Sequence, residues 1–102
     1  MDVIIGTKIK LNIHIDEYDG LSMSDYDFDA TIYTPRSENS IFYKKEDMIK
    51  IDDDNYCVLV DTSIIGFGRI LVKIHAYLDD FDFEDSIRDE IGVIDTMLNV
   101  VK

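Results

Sequence analysis

Apolar and polar residues alternate with period two through most of this chain. In Lys8-Ile9-Lys10-Leu11-Asn12-Ile13-His14-Ile15 every odd position is apolar and every even one polar, which describes a strand with one wet face. Asp25, Asp27 and Asp29 then alternate with Tyr26, Phe28 and Ala30, and Thr31-Ile32-Tyr33-Thr34 continues the run. A strand gathers those aspartates on one face, whereas a helix spreads them around its circumference. The turn cluster Pro35 to Asn39 separates this segment from a short strand, Ser40-Ile41-Phe42-Tyr43. Met48-Ile49-Lys50-Ile51 is short and apolar, Asp52 to Asn55 reads as a turn, and Tyr56 to Asp61 is a strand rich in β-branched and aromatic residues.

Gly66-Phe67-Gly68 breaks the chain before the longest predicted strand, Arg69 to Leu78. There Ile70, Val72, Ile74, Ala76 and Leu78 face inward, opposite Arg69, Lys73, His75 and Tyr77. An acidic loop, Asp79 to Asp85, leads into Arg88 to Val101. In this last stretch Ile87, Ile91, Ile94 and Leu98 fit a helical face about as well as a strand. The β-branched Val93, Ile94, Thr96, Val100 and Val101 favour a strand from Glu90 onward, with a helical turn over Ser86 to Asp89 as the open alternative.

Short strands between polar turns predict an all-β fold for residues 1–102: one domain, an antiparallel two-sheet sandwich of immunoglobulin-like type with about seven strands. Tryptophan is absent and Cys57 is the only cysteine, so the Cys–Trp–Cys signature of a true immunoglobulin domain is missing. The predicted core includes Ile13, Phe28, Val58, Ile70, Val72 and Ile74. Proximity in sequence suggests that Thr7–Ile15 pairs with Asp25–Thr34, which would put Lys8, Lys10 and His14 on a face with Asp27 and Asp29.

Charge narrows the partners. The formal net charge is −12, so phosphate backbones and anionic lipid surfaces, both bound mainly through Lys and Arg, are not expected partners. The acid excess would steer the chain towards a basic patch on another protein. No apolar run approaches the roughly 20 residues of a membrane span. Met1 to Gly6 lacks the basic and apolar regions of a signal peptide. With a single cysteine, which reads as a small buried hydrophobe, this fits folding in a reducing cytoplasm.

Candidate chemistry is sparse. Asp80-Phe81-Asp82-Phe83-Glu84 offers oxygen ligands at alternate positions like a calcium loop, but Asp85 stands where that loop needs glycine and Ile91 where it needs glutamate. Asp25, Asp27 and Asp29 fail in the same way, at Ala30 and Arg36. His14 and His75 have no second His or Cys near them in sequence, so no metal and no cofactor is expected. No nucleophile elbow or dinucleotide fingerprint is present, and the expectation is a protein that is not an enzyme. Phe81 and Phe83 stand out because they sit among acids. They are the expected apolar anchors of a protein contact, with Asp80, Asp82 and Arg88 as its polar rim. The alternative is that both rings fold back to cap one end of the sandwich.

The run from Tyr56 to Ile70, with Asp61-Thr62 ending a strand and Gly66-Phe67-Gly68 turning the chain, leads through Ala76-Tyr77-Leu78 to the acidic loop and Arg88-Asp89-Glu90. Over roughly residues 22–92 this resembles small β-sandwich domains in structural proteins of tailed phages and prophages of Bacteroides-like gut bacteria. Asp79 and Glu84 stand where that pattern has prolines, and Ser86 where it has glycine. The resemblance implies a virion component assembled in the host cytoplasm: an auxiliary or decoration protein binding capsid or head-fibre subunits, or an upper-baseplate or tail-fibre domain, and a possible homo-oligomer within the particle. Two other classes stay open: a carbohydrate- or protein-binding β-sandwich, and an acidic inhibitor of a basic partner.

Overall fold

The computed structural model describes residues 1–17 and 20–102. Their alternation resolves into eight strands: β1 (Asp2–Ile4), β2 (Lys8–His14), β3 (Asp27–Tyr33), β4 (Ser40–Lys44), β5 (Ile49–Asp52), β6 (Asn55–Asp61), β7 (Gly68–Asp79) and β8 (Ile87–Val101). One helical turn, α1 (Thr62–Ile65), joins β6 to β7. It starts where the Asp61 carboxylate accepts the Ser63 amide at 3.0 Å, and it stops at Gly66, whose positive φ of 79° lets the chain turn away.

The strands form two sheets, a five-stranded one in the order β1-β8-β7-β3-β4 and a three-stranded one in the order β2-β6-β5. They share one core. Phe28, Ala30 and Ile32 of β3 and Ile70, Val72 and Ile74 of β7 meet Leu11 and Ile13 of β2 and Tyr56, Val58 and Val60 of β6. All six residues expected in the core are buried. The Phe28 ring packs edge-on against Tyr56, with centroids 5.1 Å apart. At the open side of the stack, the Tyr43 hydroxyl of β4 donates to the Leu59 carbonyl of β6 and ties one sheet to the other.

Four expectations need correction. Among the described residues there are eight strands rather than about seven, because the three residues of β1 add themselves to the edge of β8. That pairing is parallel, Val3 opposite Val100, so the larger sheet is mixed rather than antiparallel. β2 does not pair with β3. It runs beside β6, Leu11 opposite Val58, while β3 lies between β4 and β7. Lys8, Lys10 and His14 are therefore on the other sheet from Asp27 and Asp29, and Asp29 instead accepts the Tyr77 hydroxyl at 2.8 Å. Finally, Ser86 to Asp89 makes no helical turn, since β8 is already extended from Ile87 and pairs with β7 up to Asp79.

The β7–β8 ladder contains one irregularity. Between Arg69 and Leu71 its register shifts, and the Thr96 hydroxyl donates to the Ile70 carbonyl at 2.7 Å. Met97 takes a positive φ of 63°, and Arg69 spans the defect to reach Asp95 at 2.9 Å.

Candidate functional site: the β7–β8 hairpin tip

The connection from β7 to β8 is short, polar and internally bonded. The Asp80 amide donates to the Ser86 carbonyl at 2.9 Å, and the Ser86 amide donates to the Phe83 carbonyl at 2.9 Å. Asp80 Oδ1 accepts the Asp82 amide at 3.0 Å, and Asp85 Oδ1 accepts the Ile87 amide at 3.1 Å. These are the local side-chain turns that aspartate favours. Ser86 supplies the left-handed conformation that closes the loop, with φ of 61°.

Phe81 and Phe83 are displayed, not folded back: 89% and 49% of their surfaces are exposed. Neither ring belongs to the buried core. Asp82 stands between them in sequence and is exposed as well. Asp80 and Arg88 behave differently from a solvated rim. Asp80 Oδ2 accepts from Arg88 Nη1 at 3.2 Å, and these side chains are only 21% and 29% exposed. Arg88 also reaches Glu90, its Nε 3.3 Å from the carboxylate. Asp80 thus fastens the loop to the start of β8, while the two rings and Asp82 face solvent. Asp79, Asp82, Glu84 and Asp85 add exposed negative charge around the rings.

The remaining candidates are placed apart. His14 lies on the outer face of the three-stranded sheet, its Nε2 2.8 Å from Asp16 Oδ1 and its Nδ1 3.1 Å from Asn55 Oδ1. The hydrogen bond to the Asp16 carboxylate raises its pKa above the ordinary value. His75 stacks on Tyr77, with centroids 4.4 Å apart, on the outer face of the larger sheet. Cys57 is buried, between Asn12 and Ile49 in register. Asp25 closes a helical turn by accepting the Ser22 amide at 2.9 Å. Among the described residues no three His, Cys, Asp or Glu side chains gather closely enough to hold a metal ion. None of the described helices is long and apolar enough to cross a membrane.

The sequence pattern does not reveal how the acids divide between structure and display, because Asp80 and Asp82 look alike until the loop closes. It also misses the long edge of β8 beside which no strand lies among the described residues. No family model, curated protein or solved structure matches this chain.

Proposed function

We propose that this chain is a non-enzymatic binding module, an accessory structural component of a tailed-phage virion that seats on capsid, head-fibre or baseplate subunits through the β7–β8 hairpin tip. The observation that carries the binding role is the pair of exposed phenylalanines held out on a loop that its own hydrogen bonds and the Asp80–Arg88 pair keep in shape. Exposed aromatics on a fixed support lose little conformational freedom on contact, which is what makes such residues effective anchors. The ring of acids around them suits a basic patch and would speed encounter at low salt. What supports the virion setting is the resemblance of the Tyr56–Glu90 run. The immunoglobulin-like part of the reading rests on two sheets stacked over one core with loops presented at their ends.

The test is incorporation into particles. A tagged chain should co-sediment with phage particles made in cells that carry its gene, and Phe81→Ala with Phe83→Ala should release it while the purified variant stays folded. Anchors of this kind commonly contribute more than about 2 kcal/mol. Asp82→Asn should weaken incorporation mainly at low salt. Recovery of the wild-type chain only in the soluble fraction would overturn the virion reading, and a folded double variant that still assembles would overturn the tip.

A further inference from the structure

β8 is paired with β7 along one side, but on the other β1 covers only Asn99 to Val101. Among the described residues no strand lies beside the rest of that edge, from Ile87 to Asp95. Such an edge offers a row of backbone donors and acceptors, which proteins usually blunt with proline, lysine, a bulge or a very short strand. Here the bulge lies beyond the stretch, and Ile91-Gly92-Val93-Ile94 carries neither charge nor proline. Ile91 and Val93 are 60% and 57% exposed on the outer face.

On the opposite face a groove of about 420 Å³ runs under the same edge. Its walls include Ile15, Tyr26, Ile74 and Ile94, and three carboxylates, Asp16, Glu17 and Glu90, stand around it. Gly92 lines this groove, opposite Ile74 in register. Gly6, Gly20, Gly66 and Gly68 all have positive φ, but Gly92 does not, and a Cβ placed on it would meet no heavy atom within 4 Å. Neither its own backbone nor crowding within the chain asks for glycine. A glycine inside a strand weakens it, and one reason to have it there is the close approach of another backbone or ligand.

We propose that the Ile87–Asp95 edge receives an extended segment of a different protein as an added strand, with one apolar side chain seated over Gly92. Side chains alternate along a strand, so residues two positions either side of that anchor point towards the groove and lie about 7 Å from it. That is the placement from which Lys or Arg would meet Glu90, and Asp16 and Glu17 line the same groove as further carboxylate partners. The intervening residues fall beside Ile91 and Val93 and should be apolar. The recognised pattern is therefore basic, three apolar, basic. A second copy of this chain fits poorly, because its own edge brings Asp89, Glu90 and Asp95 and a net charge of −12. This surface is separate from the hairpin tip and does not depend on the virion reading.

The experiment uses the full chain and a fluorescein-labelled peptide with Lys-Val-Leu-Val-Lys at its centre, followed by fluorescence anisotropy. Saturable binding is expected, weakened at least tenfold when both lysines are replaced by glutamates and abolished when the peptide amides facing β8 are N-methylated. Gly92→Leu should fill the groove and weaken binding at least tenfold. Should that variant fold poorly, Glu90→Gln with Asp16→Asn should weaken binding at least threefold at low salt. Phe81→Ala with Phe83→Ala should bind as the wild type does. No binding by the wild-type chain, or equal binding of the N-methylated peptide, would overturn the proposal. So would a natively folded Gly92→Leu with full affinity, or sedimentation showing a dimer that Gly92→Leu dissociates, since the edge would then belong to a second copy.

Discussion

Replacing Thr62 by valine removes a hydroxyl and almost nothing else, from a position that joins three parts of the chain. Thr62 is fully buried. Its Oγ1 donates to the Thr7 carbonyl at 2.7 Å and accepts the Gly6 amide at 3.0 Å, so it ties the β1–β2 turn to the start of α1. Valine fills the same space and makes neither bond. Each lost bond is worth roughly 0.5–1.5 kcal/mol net. The Thr7 carbonyl keeps the Thr62 amide at 3.2 Å, and Gly6 is exposed enough for water to reach its amide. The full penalty for stranded polar groups therefore does not apply. The extra buried methyl returns up to about 0.8 kcal/mol. The expected loss is thus roughly 0.2–3 kcal/mol, read as a lower urea midpoint with an unchanged slope. Thr62→Ser keeps both bonds and loses only a methyl, so hydrogen exchange at the Gly6 amide should quicken in the valine variant and not in the serine one. A valine variant as stable as the wild type, with no faster exchange at the Gly6 amide, would refute the reasoning.

Two further outcomes follow from the same geometry. Ile74→Ala, which truncates an inward residue of β7, should cost about 2–5 kcal/mol by chemical denaturation; a loss below about 0.5 kcal/mol would mean its inward placement contributes little. His14 should titrate above the ordinary 6.5 in a nuclear magnetic resonance titration, because the Asp16 carboxylate favours the imidazolium. A raised folded-state pKa adds stability that is fully present below the unfolded value and fades as pH rises through the folded one. Asp16→Asn should bring the His14 midpoint down and flatten that fall, and an unmoved midpoint would assign the shift to another group.

How far the sequence could be read depended on whether a feature was local. β7 was legible because every second residue from Ile70 to Leu78 is apolar, although Leu71 interrupts the polar face. β3 was legible for the same reason, and the buried positions of both strands follow their period. The partner of β2 was not legible, since its alternation says which face is wet but not which strand lies alongside. β1 is too short to show a period, and it is placed by a strand nearly a whole chain away in sequence. β8 looked half helical for a specific reason. Ile87 and Ile91 lie on the outer face of the sheet and Ile94 and Leu98 on the inner one, so a strand with apolar residues on both faces imitates the spacing of a helix. At the tip, the mixture of phenylalanine and aspartate announced an unusual surface. Which aspartate shapes the loop and which is displayed became apparent only once Arg88 was brought opposite Leu78, within reach of Asp80.

The parallel pairing of β1 with β8 also constrains the order in which the fold can form. β2 to β6 can find their neighbours, and β7 can find β3, once residue 79 is available, but β1 has nothing to hold until residues 99–101 have themselves settled beside β7. Closing a loop of that length costs entropy that grows only slowly with length, roughly as (3/2)RT ln n, yet it must be met with three residues of pairing. β1 is therefore expected to dock last during folding and to leave first when the structure breathes. Each such departure would bare the remainder of the β8 edge, so β1 acts as a reversible cover over the end of the surface it borders.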